Sequence, residues 1–295
     1  MEIIKVSPQG FCKGVIRAIA IINKALKNPQ TKRLIYMLGG LVHNKHIINA
    51  YKDKGIIIID NIDNINSGTV IITAHGISKK IIAALEAKKL DIINATCFDV
   101  LKTHNLIQKL IKEGNEIIYY GKNNHPETKG IMGIDERIHL IESVDDIDKL
   151  NIDSKKIAFT TQTTMGYTDV LKIIAKLKEK YLHIKTYEEV CTATKVRQQA
   201  LLDAPLDIDL FIVVGDPTSN NTNKLRELGE TRYKRCIMIE NANDLNNIDL
   251  KNVKKVAITA GASTPPAIVN EIIEALKTKD FKTNLTNEDY LNYRK

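Results

Sequence analysis

The chain has no tryptophan, only 15 glycines and 7 prolines, and four cysteines that nowhere form a CxxC pair. Sparse Gly and Pro exclude collagen-like and low-complexity chains. Cys12, Cys97, Cys191 and Cys236 stand far apart, which favours thiols or metal ligands over a disulfide framework. No run approaches the ~18 apolar residues of a membrane span, because Lys and Asp interrupt the isoleucine stretches. The opening MEIIKVSPQG lacks the basic and then apolar regions of a secretory signal. No GxxxxGK[ST] or GxGxxG is present, so a nucleotide is not favoured.

What is present fits a globular protein. The 295 residues are 43% hydrophobic and 26% charged, and the length allows one to three domains. Lys and Arg number 43 against 35 Asp and Glu, a formal charge of +8. That excess suggests nucleic acid, but the lysines are dispersed, with no basic run and no aromatic platform for stacking bases. Nucleic acid is therefore not expected as the ligand. The abundance of Ile, Lys and Asn reads as a coding bias.

Short β-rich runs recur: EIIKV (2–6), LIYML (34–38), TVIITA (69–74), DIINA (91–95), EIIYY (116–120), KIAFT (156–160), LFIVV (210–214), CIMIE (236–240) and KVAITA (255–260). Most lack polar alternation, as strands covered on both faces of a parallel sheet do. Helical patterns lie between them, such as Val15, Ile19, Ile22 and Leu26. Alternation of the two predicts an α/β fold. Cys236, within one such run, reads as a small buried hydrophobe.

The other cysteines share a layout. Cys12 opens a predicted helix, and strand-end turns then deliver His43 and His75. Cys97 repeats this with His125, Glu127 and Thr163, and Cys191 with Ser219, Asn221 and Ser263. Ligands in open α/β sheets sit beyond the carboxyl ends of strands. Three units of roughly 90 residues could thus direct three cysteines and six polar turns at one centre. Coincidence among generic turns is the competing explanation. Three such thiolates could hold a metal or an iron–sulfur cluster with one position open, although isolated cysteines are more often structural. The His, Ser and Asn set suits an anion such as a phosphate. Glu127, a lone carboxylate beside it, is a candidate proton donor or simply a helix N-terminal acid.

The segments GFCKGVIRAI, LVHNKHIIN, TAHGIS, NATC, HPETKGI, TQTT, VCTATKVRQ, GDPTSNNTNKL and TAGASTPP resemble, in order, the motifs of the 4-hydroxy-3-methylbut-2-enyl diphosphate reductase family, over essentially residues 1–275. The resemblance implies three pseudo-symmetric α/β lobes, a trefoil with mostly parallel sheets, around one [4Fe–4S] cluster per chain. It implies Cys12, Cys97 and Cys191 as cluster ligands. His43, His75, His125, Ser219, Asn220, Asn221 and Ser263 would bind the diphosphate. Glu127 would deliver protons, with His125 beside it, and Thr163 would position the reacting end of the substrate. The implied reaction is reductive dehydroxylation of the allylic diphosphate to isopentenyl and dimethylallyl diphosphate. It consumes two electrons and two protons at a cluster with an open iron, as the last step of the methylerythritol phosphate pathway. A ferredoxin- or flavodoxin-type electron donor and a cytoplasmic, bacterial setting are implied as well.

Some positions depart from the family pattern. Asn220 stands where a second serine is usual, Phe98 replaces a proline after Cys97, and Lys13 replaces a small residue after Cys12. The expected division is a first lobe at 1–97 including the N-terminal strand and Cys12, a second at 98–190, a third at 191–277, and a tail at 278–295. The tail reads as a surface segment or, alternatively, a flap over the site. Three rivals remain: a quinolinate synthase-like dehydratase, a cluster-carrying sensor, and an RNA binder whose affinity would fall with salt.

Overall fold

The computed structural model describes residues 1–293. The apolar runs become strands: β1 (Glu2–Lys5), β2 (Ile35–Leu38), β3 (Ile56–Ile59), β4 (Thr69–Ile72), β5 (Asp91–Asn94) and β6 (Glu116–Tyr120). These are followed by β7 (Ile138–Ile141), β8 (Ile157–Thr161), β9 (Lys185–Thr186), β10 (Leu210–Val214), β11 (Cys236–Ile239) and β12 (Lys255–Ala260). The helices are α1 (Lys13–Lys27), α2 (Lys45–Asp53), α3 (Lys79–Ala87), α4 (Phe98–Lys112), α5 (Pro126–Met132) and α6 (Asp146–Lys149). After them come α7 (Tyr167–Lys180), α8 (Thr192–Asp203), α9 (Asn220–Arg232), α10 (Pro266–Thr278) and α11 (Asn287–Leu291).

The strands form three four-stranded sheets, ordered β11–β10–β12–β1, β3–β2–β4–β5 and β7–β6–β8–β9. Pairing is parallel, for example Glu116 opposite Ile157 through Tyr120 opposite Thr161. All three sheets thus use one strand order, and the three α/β lobes expected from the sequence are present as these sheets. One assignment changes. β1 was expected with residues 1–97, but its backbone pairs with β12, Glu2 opposite Lys255 through Lys5 opposite Ile258. The N-terminal strand therefore completes the sheet of the C-terminal segment, and in every sheet the fourth strand is the one that leads to a cysteine.

Layering explains the unalternated runs. On one face of the third sheet, Ile118, Tyr120 and Phe159 pack against Val170, Ile173 and Leu177 of α7. On the other, Ile117, Tyr119 and Ala158 meet Ile107, Leu110 and Ile111 of α4 and Ile131 of α5. The first sheet is covered alike, by Ile268 and Ile272 of α10 on one face and Leu201 of α8 and Leu225 of α9 on the other. Each buried Val, Leu, Ile or Phe side chain among these contributes ~1.5–3 kcal/mol by leaving water.

The chain divides into two compact units, residues 1–19, 40–56 and 192 onward in one, 20–39 and 57–191 in the other. The C-terminal stretch, expected as a surface segment or a flap, is largely exposed but is anchored at its end. A Thr286/Asp289 capping box starts α11, whose Tyr290 and Leu291 are buried. No helix among the described residues is long and apolar enough to cross a membrane.

Candidate active site

In the unit containing residues 57–191, the expected residues lie at three strand ends, His75 after β4, His125 and Glu127 after β6, and Thr163 after β8. Pro126 occupies the first turn of α5, where its missing N–H costs nothing. His125 caps that helix, its Nδ1 accepting the Glu127 N–H at 3.2 Å. An accepting Nδ1 leaves the proton on Nε2, which becomes a donor. The His75 and His125 rings meet edge to face with centroids 5.2 Å apart.

Glu127 is 1% exposed. Its Oε1 accepts the Thr163 N–H at 2.8 Å, and its Oε2 accepts the Thr163 hydroxyl at 2.8 Å. Burial pushes its pKa up to about 7, against the two Thr163 bonds, with a smaller upward push from Asp99. Gln162 locks the two turns together: its Oε1 accepts the Lys122 N–H at 2.9 Å and the Thr128 hydroxyl at 3.3 Å. Gly121 admits this approach, since a Cβ there would lie 2.7 Å from Thr128 Oγ1.

The other unit builds a second set. Ser219 caps α9, accepting the Thr222 N–H at 3.3 Å, and Asn220 begins that helix half-buried. The Ser263 hydroxyl lies 3.3 Å from Ser219 Oγ and 3.1 Å from the His43 carbonyl. Burial holds the His43 pKa below its usual value, with Asp216 pulling the other way. Asn221 is mainly an organiser: its Nδ2 donates to Thr194 Oγ1 at 3.1 Å, and its Oδ1 accepts the Ala262 N–H at 2.9 Å.

Each of the three spaced cysteines is tied to a strand-end turn through its backbone N–H. Cys12 donates to the Ala262 carbonyl after β12 at 3.0 Å, Cys97 to Ala74 after β4 at 3.0 Å, and Cys191 to Thr163 after β8 at 2.9 Å. All three are half-buried, and each stands immediately before the first residue of a helix, α1, α4 or α8. Cys236 differs, because burial pushes its thiol up to about 12. Three cysteines in equivalent places at helix starts fit the ligand chemistry of an iron–sulfur cluster, and Cys236 does not share that place.

Three residues of the site escaped the sequence reading. Asp216 Oδ2 accepts the Lys45 N–H at 2.8 Å and its Oδ1 the Thr218 hydroxyl at 2.6 Å, which joins two turns. Burial raises its pKa, but these bonds prevail and hold it below the usual carboxylate value. His104 is buried with its pKa lowered to about 4 by desolvation. Its Nε2 lies behind the His75 turn and α5, 3.6 and 3.5 Å from where Cβ atoms would stand on Gly76 and Gly130. Gln162 lies in the TQTT segment, but nothing local marks its side chain as a tie.

Comparison with known proteins gives concordant results. The family described as LytB protein matches residues 3–277. A Geobacillus sp. (strain WCH70) protein named 4-hydroxy-3-methylbut-2-enyl diphosphate reductase is 44% identical, covering 95% of this chain and 91% of its own. A Bacillus subtilis (strain 168) protein of the same name is 43% identical, with 95% and 92% covered. Among solved structures, the E-1-hydroxy-2-methyl-but-2-enyl-4-diphosphate reductase of Plasmodium falciparum superposes with a TM-score of 0.89 at 36% identity, covering 95% of this chain and 89% of that one.

Proposed function

The chain belongs to the LytB protein family, and from that premise we propose that it reduces 4-hydroxy-3-methylbut-2-enyl diphosphate to isopentenyl and dimethylallyl diphosphate. The hydroxyl leaves as water, with two electrons and two protons consumed. Cys12, Cys97 and Cys191 would hold a [4Fe–4S] cluster, which when bound supplies the electrons; a ferredoxin- or flavodoxin-type protein would replenish them. The ligand assignment rests on the family motifs and on three equivalent thiols at helix starts.

The diphosphate is held by hydrogen-bond donors: His43, His75, His125 through Nε2–H, and the hydroxyls of Ser219 and Ser263. The N-terminus of α9 adds backbone N–H groups. Asn220 contributes an amide in place of the usual hydroxyl, and Asn221 keeps the Ala262 turn in place. Hydrogen bonds to an ionised acceptor are individually strong, and several together can bind a polyanion.

The observation that carries the proton-transfer role is Glu127, almost fully buried and bonded through both oxygens to Thr163. Oε1 faces a backbone N–H and can only accept. A carboxyl proton therefore sits on Oε2, and the Thr163 hydroxyl then accepts it and turns its own hydrogen outward. Proton delivery runs from Glu127 Oε2 through Thr163 Oγ1. A pKa of about 7 keeps the carboxyl substantially protonated at neutral pH. Anaerobic turnover with a chemical reductant tests this: Glu127→Gln should retain substrate affinity yet lose at least ~100-fold in kcat. Near-normal turnover would remove Glu127 from the mechanism.

A further inference from the structure

The C-terminal helix lies beyond residue 277, where the match to the LytB family ends, yet it is tightly held. The Thr283 hydroxyl and the Asn284 N–H both donate to the Glu271 carboxylate of α10, at 2.8 and 2.7 Å. Tyr290 packs among Ile268, Val269 and Ile272. From this anchorage α11 reaches α2 along its length. The Tyr290 ring lies against His46 with centroids 4.6 Å apart and planes tilted by 36°. At the opposite end of α2, the Asn287 amide donates to Asp53.

α2 carries one of the proposed phosphate-binding turns. His43 stands two residues before its first residue, and His46 is the second residue of the helix. Asn44 caps α2 by accepting the His46 and Ile47 N–H groups at 3.1 and 3.2 Å. The position of α2 therefore fixes the His43 backbone, whose carbonyl receives the Ser263 hydroxyl. Among the contacts that hold the first turn of α2 from outside are Asp216 on the Lys45 N–H at 2.8 Å and Tyr290 on His46, beside the Lys45–Glu240 ion pair at 2.6 Å. The first belongs to the substrate turns themselves. The second has no part in the chemistry.

We propose that Tyr290 is a positioning residue for diphosphate binding, acting through His46 and α2 on His43. This rests on the diphosphate reading above and adds the C-terminal segment to it. Removing the ring contact frees the first turn of α2, so substrate binding weakens while proton delivery at Glu127 is untouched. The ring makes the contact with α2, whereas the hydroxyl bonds Thr283 within the C-terminal segment.

Reconstituted full-length protein with Tyr290→Phe and Tyr290→Leu tests this, since leucine preserves apolar packing against α10 while removing the ring. Two readouts are taken, calorimetric binding of inorganic diphosphate and the split between KM and kcat. Tyr290→Phe should match the parent. Tyr290→Leu should lose about three- to tenfold in diphosphate affinity and gain the same factor in KM, at unchanged kcat. Equal affinity in Tyr290→Leu and the parent, whatever happens to Tm, would overturn the positioning role alone. Failure of the parent itself to bind diphosphate would overturn the substrate reading as well.

Discussion

Glu127 shows what one carboxyl gains and loses by burial. Its folded pKa, about 7, lies above the ordinary 4.5. The stability owed to the neutral carboxyl is fully present below 4.5 and is lost as pH rises through about 7, a change on the order of 3 kcal/mol. Urea melts of the parent should weaken between pH 5 and 8, and those of Glu127→Gln should lose that part of the slope. Turnover should likewise fall above pH 7, where the donor is deprotonated. Thr163→Val removes a bond that favours the charged form, so the descending limb of its pH profile should move to higher pH while kcat drops with the broken relay. A limb that stays in place would detach Thr163 from Glu127. At this scale much was legible: Cys12, Cys97, Cys191, the histidines, Glu127 and Thr163 all stand in short ordered motifs. Asp216, Gln162 and His104 were not, because the contacts that place them come from distant parts of the chain, 34 positions away for Gln162 and Thr128 and 171 for Asp216 and Lys45.

Elements repeat more faithfully than residues do. Lys88 donates to the carbonyls of Ile62, Asp63 and Ile65 at 3.0, 2.7 and 3.2 Å. Lys180 does the same in the next sheet, to Ile147, Asp148 and Leu150 at 2.7, 3.2 and 2.7 Å. Part of the lysine excess is thus committed to loop carbonyls. Apolar run content made most strands legible, but β3, β7 and β9 escaped. β3 is a plain isoleucine run at a sheet edge, half-exposed. β9 has two residues, too few for any period to show. The place of β1 was illegible for a different reason: its partner β12 lies at the far end of the chain, and no local pattern reports such pairing. Where turns must approach, glycine is required. Gly121→Ala should destabilise by about 1–3 kcal/mol, because its Cβ would stand 2.7 Å from Thr128 Oγ1. A denaturation midpoint unchanged from the parent would show that the Gln162–Thr128 tie has slack.

For the whole molecule, the decisive feature is that one arrangement occurs three times: a fourth strand, a cysteine whose N–H is bonded to a strand-end turn, and a helix. The chain begins inside the last copy, so its first cysteine belongs to the sheet built mostly from its final hundred residues. Three equivalent thiols and an inert Cys236 predict that loss of any one of the three is disabling, whereas Cys236 is dispensable. Cys191→Ser should yield apoprotein or a damaged cluster on anaerobic reconstitution, read by iron content and absorbance, with Cys236→Ser loading normally. The central claim, a three-thiolate cluster that meets an allylic diphosphate, is tested most directly by Mössbauer spectroscopy of iron-57-reconstituted protein before and after the hydroxylated substrate is added. A shift confined to one iron in four is the expected result; a four-iron cluster whose spectrum ignores the substrate would contradict it.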